Sequence, residues 1–368
     1  MTEYNCLESI NAIYVRREEE GYAVKPCCVY NQPYQDDHHV QDPNELFDNP
    51  YINKIREGFK GDWAKNNPGC AACVMKEKSG KPSKRLGSLK RGPNLNVNNI
   101  PTRWDLRPGN TCNLKCIMCN LRNSSKWIED NDIANKFNGS HGIDTEKSFR
   151  KDMDWNWVYN KCKGMAEIIY IAGGEPFYMK NVRNFLKKLS EIKWNCDNTT
   201  IQIQTNGVTN SPALLEILSK FSRVEYSLSI DGWAEVNELI RFPTIHQEWI
   251  DGYNSIKSLD PINLICNLTI QSLNLPNIQT TLKELHNLDK DLKFDMHLLE
   301  YPNYLSINAL KPQVIEEVKQ NNNNKLIAKF IDSYNYDRGL NVKMQKFLQE
   351  MDTRRGTNSK VVAPWCYV

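Results

Sequence analysis

The sequence predicts an α/β fold, a partial (β/α)6 TIM-like barrel preceded by a small cysteine-rich module. After residue 100, short β-branched or apolar runs alternate six times with longer helical patterns, an order that indicates parallel strands with helices outside. A complete eight-stranded barrel needs about 250 residues, and roughly 200 are available here. We therefore expect an incomplete barrel of six units. The cysteine-rich part, residues 1–78, holds five of the 12 cysteines and little apolar periodicity.

Six segments have the composition of the predicted strands: 102–107, 167–172, 200–205, 224–230, 264–270 and 293–299. In the helical pattern after the third of these, Ser211 is the expected N-cap and Pro212 lies in the first turn. The predicted regions are the module at 1–78, a linker at 79–100, the barrel at 101–309 and a C-terminal helical extension at 310–368. The linker is rich in Gly, Pro, Asn and basic residues, which bury too little apolar surface to order independently.

Charge and cysteine content restrict the kind of protein. The 47 basic and 44 acidic residues nearly cancel, so a net charge of +3 gives no broad attraction to nucleic acid or an anionic membrane. The first twenty residues have no apolar signal region, and no segment approaches the roughly 18 apolar residues of a membrane span. We expect a cytoplasmic protein. In a reducing compartment 12 cysteines indicate metal or iron–sulfur ligation rather than a disulfide framework.

Three cysteines, Cys112, Cys116 and Cys119, follow the first predicted strand at its carboxyl end, where α/β barrels assemble their chemistry. Three thiolates hold three corners of a cuboidal 4Fe–4S cluster, whereas a closed cluster uses four cysteines. One iron is then left for a ligand that is not a side chain. A structural zinc site requires a fourth Cys or His at short spacing, and the nearest histidine, His141, is distant. Buried cysteines without a ligand are the remaining alternative.

The C-x3-C-x2-C spacing after a first strand resembles the signature of radical S-adenosylmethionine (SAM) enzymes. The resemblance implies a six-unit partial barrel, a 4Fe–4S cluster and SAM chelated to the open iron. It also implies reductive cleavage of SAM to methionine and a 5′-deoxyadenosyl radical, which abstracts hydrogen from a substrate C–H bond. An electron donor such as flavodoxin or ferredoxin is implied as a partner.

Later strand ends carry residues that resemble the family's SAM-binding positions. The sequence "GGEP" ends the second strand and is similar to the motif that receives the SAM amino group; its adjacent glycines let a ligand approach the backbone, and its glutamate accepts from an ammonium. "TNG" and "SIDG" end the third and fourth strands, where the family binds the ribose or the methionyl carboxylate. All three are ordinary turns when found alone. The candidates are Gly173, Gly174, Glu175, Pro176, Thr205, Asn206, Ser229 and Asp231.

Three further positions follow from the same resemblance. Arg241 matches the family's "IR" segment, with an ordinary surface arginine as the alternative. Met118 stands where many members carry an aromatic residue, and we expect it to pack against adenine. The residue that quenches or deprotonates the product radical is not identified by the sequence; Tyr301, after the sixth strand, is only a positional candidate.

The amino-terminal cysteines resemble an auxiliary iron–sulfur module of the SPASM/Twitch type, with "PCC", a short helix and a C-x2-C followed by Ser-Lys-Arg. Four thiolates complete a second cluster, and the resemblance favours Cys6, Cys27, Cys70 and Cys73. Cys28 is the alternative to its neighbour Cys27, and Cys366 is an alternative to Cys6. A zinc ribbon at the same positions is the physical rival, because C-x2-C suits zinc equally well.

Taken together, these features predict a radical SAM enzyme with an auxiliary cluster, acting on an unactivated C–H bond of a peptide or protein. The alternative from another class is a non-catalytic iron–sulfur or zinc scaffold. A small molecule such as a sugar or nucleotide is an alternative substrate, and the basic segment 81–91 motivates RNA as another.

Overall fold

The computed structural model describes residues 5–31, 38–80, 82–91, 101–138, 151–209 and 211–368. The chain divides into two compact units. The first consists of Met1–Gly109, Phe149–Ile203 and Ala213–Glu225; the second consists of Asn110–Ser148, Gln204–Pro212 and Tyr226–Val368.

The main sheet contains seven strands, which are β1 (Ala12–Arg16), β4 (Arg103–Arg107), β5 (Ile168–Ile171), β6 (Thr200–Thr205), β7 (Val224–Ser229), β8 (Asn263–Ile270) and β9 (Lys293–Leu298). Their order in the sheet is β1-β4-β5-β6-β7-β8-β9. The pairs β1–β4, β4–β5, β5–β6 and β8–β9 are parallel. A separate antiparallel pair joins β2 (Tyr22–Ala23) and β3 (His39–Val40). The predicted α/β fold with a partial TIM-like barrel is confirmed, and its six predicted strands are β4 to β9.

Strand β1 is the departure from the prediction. It comes from the cysteine-rich segment, which we expected to form a separate module in front of the barrel. Its residues pair in register with the first predicted strand, Ala12 opposite Arg103 and Arg16 opposite Arg107. The reason is local composition, since "AIYVR" has the β-branched and aromatic residues of a strand and its first four residues are buried. The cysteine-rich segment is therefore continuous with the sheet.

Helices fill the connections between strands, as the alternation predicts. In the part of the chain that the structure describes, the α-helices are Glu8–Asn11, Pro50–Gly58, Trp63–Asn66, Ala71–Lys78, Lys84–Arg91, Asn131–Asn138, Trp155–Cys162, Lys180–Ser190, Lys193–Asn198, Pro212–Leu218, Glu235–Ile240, His246–Lys257, Ile278–Leu288, Pro312–Asn321, Lys325–Asp332, Arg338–Arg355 and Ser359–Val362. Short 3-10 helices are Pro43–Leu46, Pro68–Cys70, Ser125–Asp130, Pro176–Tyr178, Leu275–Asn277, Asn303–Leu305, Ile307–Ala309 and Pro364–Cys366. Among the described residues, no helix combines the length and apolarity needed to cross a lipid bilayer.

The predicted linker, 79–100, contains the helix Lys84–Arg91. The composition of this segment is too polar for it to order independently. Hydrogen bonds to the preceding helix and to residues near the amino terminus hold it in place. The Arg85 guanidinium donates to the Asn5 carbonyl at 2.8 Å and to the Glu77 carboxylate at 2.9 Å. Ser88 Oγ accepts from the backbone N–H of Leu7 at 3.2 Å. Position 81 and positions 92–100 of the predicted linker lie outside the described residues.

The C-terminal extension is helical, as predicted for 310–368. Its longest helix, Arg338–Arg355, starts at Asp337, whose carboxylate caps Gly339 and Leu340. The helix packs on the turns that follow β9, where the ring centroids of Phe347 and Tyr304 are 4.9 Å apart. These contacts lie within the second unit, which also contains the cysteine loop.

Candidate functional site

The three cysteines of the C-x3-C-x2-C motif lie on the loop after β4. Cys112 and Cys116 are buried and Cys119 is half-buried. The loop backbone is fixed by two hydrogen bonds at alternate residues: Lys115 N–H donates to the Phe242 carbonyl at 2.8 Å and Ile117 N–H donates to the Ile240 carbonyl at 2.7 Å. The loop that carries the thiols is thus attached to the chain segment around Arg241.

Residues that follow the loop in sequence also hold it through hydrogen bonds. The indole Nε1 of Trp127 donates to the Cys116 carbonyl at 2.9 Å, and the Ser124 hydroxyl donates to the Leu114 carbonyl. Asn110 Nδ2 donates to the Leu121 carbonyl at 2.7 Å. Because buried backbone carbonyls need donors, these contacts fix the loop through its backbone. The Cys112 sulfur also takes part, accepting from the Leu114 N–H at 3.4 Å.

Arg241, predicted at the SAM site, is buried beside the loop. Its Nη1 lies 3.9 Å from Cys116 Sγ, and its Nη2 lies 2.8 Å from Asp231 Oδ2. A hydrogen bond from the Cys119 thiol, supported by the Arg241 charge, lowers the pKa of Cys116. The shared proton and burial raise the pKa of Cys119 well above its usual range. The Arg241 charge therefore favours the thiolate form of Cys116, and because Arg241 is buried the alternative of a surface arginine does not hold.

Asp231 is completely buried, and its carboxylate has partners within the protein. Oδ1 accepts from the Thr269 N–H at 2.6 Å, and Oδ2 pairs with Arg241. The Asp231 backbone N–H donates to Asn237 Oδ1 at 2.9 Å. Burial raises the pKa of Asp231, and the Arg241 charge and the Thr269 hydrogen bond oppose that shift. Asp231 thus holds Arg241 next to the cysteine loop.

The "TNG" turn is also connected to the loop. Asn206 Nδ2 donates to Asn113 Oδ1 at 2.8 Å, and Asn206 Oδ1 accepts from the Val208 N–H at 3.0 Å. Thr205 is buried and its hydroxyl accepts from the Gly207 N–H at 3.2 Å. The structure therefore brings the cysteines, this turn and Arg241 together in the second unit.

Two other predicted SAM-site residues lie in the same unit. Met118 and Val208 pack against Cys112, Leu114 and Cys116 of the loop. Ser229 is buried, and its carbonyl accepts from the Trp249 indole at 3.2 Å. The Met118 thioether thus forms part of the apolar wall around the thiols, and its expected contact with adenine stays a prediction.

The "GGEP" turn belongs to the first unit. Gly173 and Gly174 have φ values of 113° and 54°, which explains why two glycines are needed there. Glu175 is completely buried and caps the 3-10 helix Pro176–Tyr178, accepting from the Phe177 N–H at 3.0 Å. The turn has the backbone conformation that a close ligand approach requires.

Four amino-terminal cysteines line one cavity in the first unit, and they are the four predicted ones: Cys6, Cys27, Cys70 and Cys73. Tyr30, Phe59 and Trp63 add an aromatic wall, and Lys84 and Arg85 add two cations. Burial raises the pKa of Cys70 to about 12, and Arg85 opposes the shift. Binding of a metal group here would have to displace thiol protons.

The two alternative cysteines lie elsewhere. Cys28 lines a different cavity, and its sulfur accepts from Lys84 Nζ at 3.2 Å. Cys366 is buried in the second unit, where its thiol lies 3.7 Å from the Ser272 carbonyl. Neither residue is among those that line the cavity of the four thiols.

The cavity that Cys28 lines was not predicted from the sequence. It has a volume of about 700 Å³ and is lined by polar side chains at alternate positions of the strands, together with Lys84. Asp105, Tyr170 and Gln202 lie opposite one another in the sheet register. The signal was present as alternation of polar and apolar residues in "RWDLR" and "TIQIQT". Such alternation indicates a polar interior on one face of the sheet.

Residues 106–270 match the Radical SAM superfamily. The matched segment is a little under half of the chain and contains the three-cysteine loop, "GGEP", "TNG", "SIDG" and Arg241. It excludes the amino-terminal cysteines and the C-terminal extension. No curated protein matches the sequence significantly.

Several solved structures are similar in fold. Native anSMEcpe with bound AdoMet and Cp18Cys peptide has 16% identity and a TM-score of 0.39, covering 58% of this chain and 56% of that chain. Streptococcus suis SuiB bound to precursor peptide SuiA has 16% identity and a TM-score of 0.38, covering 89% and 56%. TYW1 with a lysine-pyruvate adduct bound has 13% identity and a TM-score of 0.31, covering 62% and 72%. The chain spans little more than half the length of the first two, and similarity this low supports no argument about substrate.

Proposed function

We propose that this chain is a radical SAM enzyme in which Cys112, Cys116 and Cys119 hold a 4Fe–4S cluster. When bound, the cluster and SAM supply a 5′-deoxyadenosyl radical that abstracts hydrogen from a substrate C–H bond. The observation that carries the proposal is the loop itself: three thiols on one backbone segment, fixed from two directions, with the Arg241 guanidinium 3.9 Å from Cys116 Sγ. The donor set fits the group, because thiolate is the ligand that iron–sulfur clusters require.

The surrounding residues have separate roles in this proposal. Arg241 stabilises thiolate charge at Cys116, and Asp231 keeps the Arg241 side chain oriented. Asn206 attaches its turn to the cysteine loop through Asn113. Glu175 and its two glycines are the candidates for binding the SAM amino group, and Ser229 and Thr205 are candidates for its ribose and carboxylate. If these residues bind SAM, their role would be to orient it and to exclude water.

The test is anaerobic reconstitution with iron and sulfide, followed by SAM and dithionite, with 5′-deoxyadenosine measured by chromatography. We expect turnover in the wild type and none in Cys116→Ser, which also loses the iron bound at this site. Cys196→Ser is the matched control, since the Cys196 thiol donates to a backbone carbonyl, that of Ser190 at 3.4 Å, a role that serine can also fill. A wild-type protein that shows the full cluster absorbance but no 5′-deoxyadenosine would refute the proposal in favour of a scaffold.

We further propose a second, auxiliary iron–sulfur cluster at Cys6, Cys27, Cys70 and Cys73. What supports it is the convergence of four thiols from separate parts of the sequence on one cavity, with Lys84 and Arg85 to balance thiolate charge. Four cysteines leave no open position, so an auxiliary cluster would serve electron transfer or substrate anchoring. A zinc site at the same thiols is the alternative.

Metal analysis separates the two alternatives. Two 4Fe–4S clusters give about eight iron atoms per chain, whereas one cluster with zinc gives about four iron atoms and one zinc. Cys73→Ser should remove the auxiliary iron while Cys28→Ser should retain it, because Cys28 lines the other cavity. Loss of iron in Cys28→Ser and retention in Cys27→Ser would reverse the ligand assignment.

For the substrate we propose a segment of a peptide or protein, with electrons supplied by a donor such as flavodoxin or ferredoxin. The 700 Å³ polar cavity is the candidate substrate space, and its size suits one or two residues or a small molecule. RNA is disfavoured because two cations of the basic segment have internal partners: Lys84 contacts Cys28, and Arg85 pairs with Glu77. Incubation with a peptide library, and separately with sugars and nucleotides, would show which class increases 5′-deoxyadenosine formation.

A further inference from the structure

The C-terminal helix Arg338–Arg355 brings two arginines to the segment that follows the cysteine loop. Arg354 is exposed; it pairs with Asp132 at 2.7 Å and lies 3.8 Å from Asp130. Arg355 is different: its side chain is 1% exposed, and Nη2 lies 2.9 Å from Oδ2 of the completely buried Asp130. The helix lies outside the segment that matches the Radical SAM superfamily.

Arg355 touches the residues that hold the loop in place. Its guanidinium carbon lies 5.1 Å from the centre of the Trp127 ring and 5.3 Å from the centre of the Phe242 ring. Trp127 donates to the carbonyl of Cys116, and Phe242 accepts from the N–H of Lys115. Arg355 therefore contacts both of the residues that hold the loop backbone.

The charge of Arg355 lies close to the cysteine loop. Its buried guanidinium packs against Phe242, whose carbonyl accepts from the N–H of Lys115, the residue before Cys116. Asp130 balances part of this charge, and it also pairs with Lys115 Nζ at 3.2 Å. Inside a protein the effective dielectric is far below that of water, so a buried charge is felt over several ångströms.

We propose that Arg355 is a positioning residue of the cluster site, which orders the cysteine loop through Trp127 and Phe242 and raises the reduction potential of the cluster held there. The inference rests on the proposed function, since it needs a cluster on Cys112, Cys116 and Cys119. The physical reason is that reduction adds negative charge to the cluster, which a nearby buried cation stabilises. The C-terminal extension would then be part of the catalytic unit rather than an attachment to it.

The test is a redox titration of the reconstituted protein. The reduced cluster is measured by electron paramagnetic resonance, using the signal that changes on SAM addition. In Arg355→Met we expect the ratio of reduced to oxidised cluster at a fixed potential to fall about tenfold, which is a lower midpoint by about 59 mV. Arg355→Lys should restore most of the ratio, because it keeps the charge. Arg354→Met is the control in the same helical turn. Arg354 also lies 3.8 Å from Asp130, but its charge is exposed and screened by solvent, so the titration of this variant should stay close to that of the wild type.

A second substitution should shift the midpoint potential in the opposite direction. Asp130→Asn removes the negative partner and leaves the cations, so it should raise the midpoint, whereas a merely structural loss of order would shift both variants in the same direction. Equal midpoints for Arg355→Met and the wild type, or same-direction shifts for both variants, would overturn the inference. If Arg355→Met does not fold, Arg355→Lys and Asp130→Asn still decide it. A wild type without a SAM-sensitive signal would instead refute the proposed function.

Discussion

Gly252 provides a sharp test of how the "TNG" turn is supported. It lies on the helix His246–Lys257, and a Cβ at this position would be 1.8 Å from the backbone carbonyl oxygen of Gly207. Ordinary contact begins at 3.4 Å, so the helix and the turn would have to separate by about 1.6 Å. Overpacking of this kind costs up to about 3 kcal/mol. Alanine in a helix interior is more stable than glycine by about 1 kcal/mol, which offsets part of this cost.

Gly252→Ala should therefore destabilise the second unit by about 2 kcal/mol, a fall of about 4–8 °C in the temperature of its unfolding transition. The measurement is thermal unfolding by circular dichroism, with SAM binding by calorimetry as a second readout because the shifted turn carries Thr205 and Asn206. Gly339→Ala is the control, since its Cβ would meet only the Asp337 carboxylate, at 3.1 Å, and that side chain can move. A variant as stable as the wild type, or more stable as helix propensity alone predicts, would refute the close contact.

Three further outcomes are expected. Trp127→Phe removes the indole donor to the cysteine loop and should cost about 1 kcal/mol, with slower iron uptake at the loop in a reconstitution time course. Gly69→Ala places a Cβ 2.4 Å from the Tyr30 ring, so iron retention at the four-thiol cavity should fall while 5′-deoxyadenosine release persists in a metal and turnover assay. The Tyr253 hydroxyl and Lys257 lower the pKa of Asp289; the stabilisation is present above about pH 3.9 and is lost as the pH falls through the native pKa. The difference in melting temperature between the wild type and Asp289→Asn should shrink over that range.

The strands and the loop cysteines were predictable because their signals are local. The alternation of polar and apolar residues in "TIQIQT" predicts a strand, and β6 has the predicted bounds, 200–205. The spacing of Cys112, Cys116 and Cys119 likewise needs no knowledge of distant residues. The site residues nearest to these motifs, Asn206 and Arg241, followed from the resemblance, and both contact the loop.

What the sequence did not reveal depends on contacts between distant segments. Arg355 is more than two hundred residues from Asp130, and two arginines in the last turn of a helix usually indicate only favourable charge at a helix end. Strand β1 was missed because five residues in a polar, cysteine-rich context do not distinguish a sheet strand from a loop. In each case the burial that explains the residue exists only once its partner has folded against it.

The adjacent cysteines Cys27 and Cys28 lie in two different environments. Cys27 lines the cavity of the four thiols, and Cys28 lines the polar cavity beside Asp105 and Tyr170. Lys84 lines both cavities, and its charge lowers the pKa of each of the two thiols against the effect of burial. A change of charge in the candidate substrate cavity would therefore be felt by the thiols of the proposed auxiliary cluster through one shared cation. Lys84 is thus the cation that the two neighbouring cavities share, and replacing it should alter the electrostatic environment of Cys27 and Cys28 together.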